Sequence, residues 1–188
     1  MKVLLLHSVL GARPAVHRAA DRFRAAGHDV VVPDLFEGAV FDDLDAGVAH
    51  ARATGFGVLE ERAVAALPAE PVVVAGWSFG GALAMELAAG HPQVRGALLL
   101  HAGGPWEGEW PSVAVEVHHT RDDPWMDTGE PAELLDQATA AGAWGSLHVY
   151  PGDAHLFTDE DLPEHDAASS ALLWTRAVAF VDAVAQRD

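Results

Sequence analysis

The chain has 188 residues, half of them hydrophobic, with 28 acidic against 11 basic side chains and a formal net charge of −17. That length suits one domain over residues 1–188, able to bury ~70% of the surface its unfolded form exposes, and the apolar content argues against disorder. The negative field disfavours nucleic acid, an anionic membrane surface and small anionic substrates, and the absence of cysteine excludes disulfides, thiolate catalysis and Cys-ligated metal.

The first apolar run, residues 3–6 in MKVLLLHSVLGA, is too short before His7 for a secretory h-region and reads as a buried strand. Further runs follow at 30–32, 72–75, 97–100, 113–117 and 147–150. Most are rich in Val or Leu without alternation, as strands covered on both faces of a parallel sheet are. Helix-forming stretches separate them. Residues 14–26 open on Pro14 and stop at Gly27, and 58–67 and 82–89 follow, the latter ending at Gly90-His91-Pro92. Residues 131–141 begin with a first-turn proline, and 171–184 form a long amphipathic C-terminal helix. The connection 33–45 is the loosest, and it is acidic. No apolar stretch approaches the ~18 residues of a membrane span, so a cytoplasmic protein is expected. Strand and helix alternate throughout. The pattern predicts an α/β fold with a mostly parallel six-stranded sheet, helices on both faces and ligands at the carboxyl ends of the strands.

The residues just after each strand therefore carry the functional argument. After the third run comes Gly76-Trp77-Ser78-Phe79-Gly80, a G-x-S-x-G sequence. Six serines and 18 glycines give about 0.05 such matches by chance. The context is also that of a nucleophile elbow, a strand before and a helix after. There the serine sits in strained backbone, and glycines two before and two after let strand and helix approach without a clash. An ordinary Gly-rich loop is the alternative.

A serine needs a general base, and the base an orienting acid, in the chain order Ser, acid, His. Asp122 and Asp123 follow the fifth run, and His155 follows the sixth. His155 is preferred to His165, which lies further out in a polar stretch. Asp-Asp-Pro is also plain turn chemistry, so the residues alone leave the acid open between the two aspartates. An oxyanion hole would use the backbone N–H of Phe79 and one from the loop after the first strand, Val9 first and Leu10 next. Leu10, Trp77, Trp106 and Trp125 are candidates for an apolar substrate pocket, with Trp110 a further strand-end tryptophan. His7, His101, His118 and His119 also lie near strand ends. No H-x-x-x-H pair or carboxylate at ligand spacing organises them, so core or solvated histidines are expected, with no metal.

With these segments in hand, the chain resembles the dienelactone hydrolase family of α/β-hydrolases over nearly its whole length. The likeness rests on PDLFEG after the second strand, GWSFGGALAMELA at the elbow, RDDPW after the fifth strand and YPGDAHLF at the histidine. The resemblance selects Asp123 over Asp122. It implies a compact α/β-hydrolase sheet, and the short 100–113 connection leaves no room for a lid domain. The sequence departs from the founding members in three places. Ser78 replaces their cysteine, Ser8 stands where they carry a glutamate, and the segment after His155 lacks their substrate-binding arginines. The expectation is a cofactor-free serine hydrolase of small esters, lactones or thioesters with Ser78, Asp123 and His155 as catalytic residues. The oligomeric state is left open. The alternative is a non-catalytic protein of the same fold that binds a small molecule.

Overall fold

The structure is a computed structural model that describes residues 1–126 and 129–187. In chain order the elements are β1 (Lys2–Leu6), α1 (Pro14–Ala25), β2 (Asp29–Val31), α2 (Leu44–Thr54), α3 (Phe56–Ala65), β3 (Val72–Trp77), α4 (Phe79–Gly90), β4 (Val94–Leu100), β5 (Ala114–Thr120), α5 (Glu130–Ala140), β6 (Gly145–Tyr150) and α6 (Ala167–Ala185). The strands form one sheet in the order β2-β1-β3-β4-β5-β6, and every neighbouring pair is parallel.

Strand alternation divides the core into two layers. Leu4, Leu6, Val72, Val74, Ala97, Leu99, Val115 and Val117 face α2, α3, α4 and α5. Val3, Leu5, Val73, Ala75, Leu98 and Leu100 face α1 and α6. This double cover explains the unbroken apolar runs of the central strands. The edge strands are less buried: β2 is three residues long, and much of β6 is partly exposed.

Three readings of the sequence need correction. Residues 44–54, in and beyond the stretch taken as loose connection, form α2, capped by the Asp43 carboxylate accepting from Ala46 N at 2.9 Å. Its core-facing side is Leu44, Gly47, Val48 and Ala51, of which only the small Gly47 and Ala51 are fully buried, so the apolar period that marks it is short and weak. Second, α6 runs 19 residues with a mean hydropathy of 1.3, long and apolar enough by composition to cross a bilayer. Its alanines supply that hydropathy without an unbroken run of large apolar side chains. In the fold, Leu173, Trp174, Ala177, Phe180, Val181 and Val184 are buried in the core. Third, a carboxylate does accompany a strand-end histidine. Glu116 and His118 lie on one face of β5, and His148 is directly opposite His118 on β6. Burial pushes the Glu116 carboxyl up to about 7 and the His118 imidazole down to about 3.

Candidate active site

The strand order changes direction between β1 and β3. The chain leaves β1 outward to β2, then returns across to β3. In such sheets the crevice at that switch, beyond the carboxyl ends, is where ligands bind. Ser78 sits there, between the end of β3 and the start of α4, with φ 50° and ψ −114°. This left-handed backbone is costly for a side-chain-bearing residue and holds the hydroxyl outward. The flanking glycines are required sterically. A Cβ on Gly76 would run into the Gly80 carbonyl, and one on Gly80 would lie 2.5 Å from the carbonyl oxygens of Leu6 and His7. The N-terminus of α4 is thereby pressed against the loop that follows β1.

Two loops deliver the partners of Ser78. Beyond the paired strands, β5 and β6 stay zipped: Arg121 N donates to Tyr150 O at 2.8 Å, Asp122 N to Gly152 O at 3.1 Å, and Thr120 Oγ1 to Ala154 O at 3.2 Å. His155 Nδ1 lies 2.9 and 2.8 Å from the two oxygens of Asp123, and His155 Nε2 lies 2.8 Å from Ser78 Oγ. A carboxylate only accepts, so Nδ1 carries the proton and the Nε2 lone pair faces the serine hydroxyl. Asp123 Oδ1 also accepts from Trp125 N at 2.9 Å. Asp123 is 4% exposed, whereas Asp122 points to solvent.

The segment after His155 is bound to α1 by ion pairs. Arg18 meets Glu160 at 2.8 Å and Asp161 at 2.6 Å, Arg22 meets Glu160 at 2.6 Å, and buried Arg13 lies 3.4 Å from Asp159. The arginines here come from α1 and its N-cap residue Arg13, and all three are paired with the acids of 159–161, Arg13 also with Asp42.

Of the two amides considered after β1, Leu10 N donates to Ser8 Oγ at 3.1 Å. Among the described residues, no protein acceptor takes the N–H of Val9 or of Phe79. Both amides lie where the β1 loop meets the first turn of a twelve-residue helix with no acid in that turn. Such a terminus favours developing negative charge.

The cleft beside Ser78 has a volume of about 360 Å³, on the scale of a small-molecule site. No helix crosses residues 101–113, so it is open above. Trp125 lines it, half-exposed, with its ring 5.8 Å from that of His155. The other pocket candidates are placed elsewhere. Trp77 is buried between the sheet and Trp174, its indole N–H donating to Thr158 Oγ1 at 2.8 Å, because strand alternation turns it to the α1–α6 layer. Leu10 is 1% exposed in that same layer. Trp106 packs edge-on against Trp110 on the opposite layer, its backbone N and O both bound by the Gln137 side chain. The cleft is lined instead by Ala82 and Met85, four and seven residues beyond Ser78 on one face of α4, and by Glu130 at the start of α5. The helical spacing from Ser78 is the signal that would have found the first two. His101 also lines it, with its ring 5.9 Å from that of His155. Burial holds the His101 imidazole well below its usual value, so it adds no positive charge there.

The family model for the dienelactone hydrolase family matches residues 1–185. The chain belongs to the dienelactone hydrolase family. Dienelactone hydrolases are α/β-hydrolases acting on ester-type bonds, and this chain is a hydrolase of that kind. No curated protein sequence matches it. Among solved structures, it is similar to the dienelactone hydrolase-like promiscuous phosphotriesterase P91 from metagenomic libraries, at 22% identity and TM-score 0.78 over 97% of this chain and 86% of that one. It is also similar to MGS-M1, an α/β-hydrolase enzyme from a Medee basin deep-sea metagenome library, at 18% identity and TM-score 0.66 over 97% and 84%. Carboxyl esterase 2 from the mycorrhizal fungus Tuber melanosporum aligns at 11% identity and TM-score 0.68 over 97% and 78%. At these identities the three share the fold.

Proposed function

We propose that the protein is a serine hydrolase of small, uncharged carboxylic esters, lactones or thioesters. Ser78 Oγ attacks the carbonyl carbon as His155 Nε2 takes the hydroxyl proton, and Asp123 stabilises the imidazolium through Nδ1. The carbonyl oxygen, now an oxyanion, accepts from the N–H groups of Val9 and Phe79. Collapse of the tetrahedral intermediate breaks the bond to the leaving group, which receives the proton from His155. Water then attacks the acyl-serine with His155 again as base, the acid departs, and Ser78 recovers its proton. No cofactor enters these steps.

The observation that carries this reading is the hydrogen-bonded chain from Ser78 Oγ through His155 to Asp123, at 2.8 Å on each side of the imidazole. Ser78→Ala should abolish p-nitrophenyl acetate turnover with an unchanged circular dichroism spectrum. Turnover at the wild-type rate would remove Ser78 from the mechanism. Neutral esters, lactones and alkyl thioesters of graded chain length define the acyl group, and acyl-CoAs of the same chain lengths should be turned over more slowly because they are polyanions. A phosphotriester belongs in the same screen, because P91 is described as a promiscuous phosphotriesterase.

A further inference from the structure

Glu116, His118 and His148 are absent from the lining of the Ser78 cleft and have no part in the proposed reaction. Two rules of sheet geometry gather them. Residues two apart on a strand share a face, which joins Glu116 to His118, and the parallel register sets His148 opposite His118. One carboxylate and two imidazoles then present donor atoms that all lie within 4.8 Å of one another. His118 Nε2 is 2.8 Å from Glu116 Oε1, and His148 Nε2 is 3.4 Å from Glu116 Oε2.

We propose that these three residues bind one divalent transition-metal ion of the zinc class, which ties the edge strand β6 to β5. Two imidazoles and a carboxylate are a donor set suited to zinc, with a fourth position left for water. Bonds of about 2.0–2.2 Å to each donor would place them roughly 3.3–3.6 Å apart. The pair at 2.8 Å opens slightly and the widest pair closes, and the 23% exposed side chain of His148 has room to make that adjustment. His118 is held from behind: its Nδ1 lies 2.9 Å from the Tyr150 hydroxyl, which fixes the ring with Nε2 toward Glu116. An outer partner of this sort is what a metal-binding histidine ordinarily has. The Arg176 guanidinium from α6 donates to the Tyr150 hydroxyl at 3.3 Å, and its positive charge reaches all three donors and opposes a cation, whereas the Glu116 carboxylate and the overall charge of −17 favour one. Exposure of His148 on the edge strand supplies the way in.

The test uses tag-free, chelator-treated protein titrated with Co²⁺ and with Zn²⁺. One equivalent of Co²⁺ should give the ligand-field bands of a four-coordinate ion, and Zn²⁺ should abolish them. At a hundredfold excess over Kd, the melting temperature should rise by roughly 5–10 °C. His148→Ala should lose both signals while remaining folded by circular dichroism, and His148→Gln gives the same reading should the alanine variant not fold. His165→Ala, outside the cluster, should keep both. The proposal is overturned if wild-type protein shows neither bands nor a melting shift at 1 mM metal. It is equally overturned if the His148 variants bind as the wild type does, or if His165→Ala loses binding too.

Discussion

Asp122 and Asp123 are neighbours in a turn whose chemistry suits either, and three-dimensional placement separates them. Asp123 is buried and accepts from His155 Nδ1 and Trp125 N, whereas the exposed Asp122 contributes its backbone N–H to Gly152 O. If Asp123 fixes the imidazole tautomer, Asp123→Asn should lower kcat by about 10⁴ with the fold intact, because an amide N–H facing Nδ1 favours the wrong tautomer. Asp122→Asn should stay within about twofold of wild type. Steady-state kinetics on p-nitrophenyl acetate reads both, and a large loss in the Asp122 variant alone would reverse the assignment. At this scale the meeting of Ser78 and His155 could be anticipated from the sequence, because G-x-S-x-G demands a local backbone shape and the histidine follows a strand. Trp77 was not: a residue at a strand end points to either face, and only the alternation of β3 in the sheet decides which. The Glu116–His118–His148 group was equally hidden, since it depends on a pairing register between residues 30 apart.

The elements show the same division between local and long-range information. β1, β3, β4 and β5 were visible as apolar runs because both of their faces are covered. β5 nevertheless continues through His118, His119 and Thr120, polar residues that a hydrophobicity reading ends on but that are buried. Helix α2 carries only the short apolar period Leu44, Val48 and Ala51, which the adjoining acidic connection obscures, yet it supports the proposed oxyanion loop. Its Gly47 lies so close to that loop that a Cβ there would run into the Val9 carbonyl oxygen. Gly47→Ala must therefore push Val9 away. Removal of one oxyanion donor costs about 10²–10³ in kcat, so a displaced donor should cost on the order of tenfold or more. The loss should fall on kcat more than on KM, since the N–H bonds the transition state best. A folded Gly47→Ala protein with wild-type kcat would show that Val9 does not hold the oxyanion.

For the whole molecule, charge and topology bear on the substrate together. The net charge of −17 repels anions, and Arg13, Arg18 and Arg22 are already paired with the acids of 159–161. Glu130 adds a further acid to the wall of the cleft. An uncharged ester fits that field better than the carboxylate-bearing substrate the founding family members hold with arginines. The sheet order places the end of β1, the elbow after β3 and the loops after β5 and β6 around one open crevice, so residues 78, 123 and 155 meet although 77 positions separate the serine from the histidine. The most direct measurement of that meeting is the intact mass of the folded protein after exposure to a neutral fluorophosphonate. One adduct per chain is expected, carried on the peptide containing Ser78 and lost in His155→Ala. An unlabelled folded protein, or an adduct on any other residue, would contradict it.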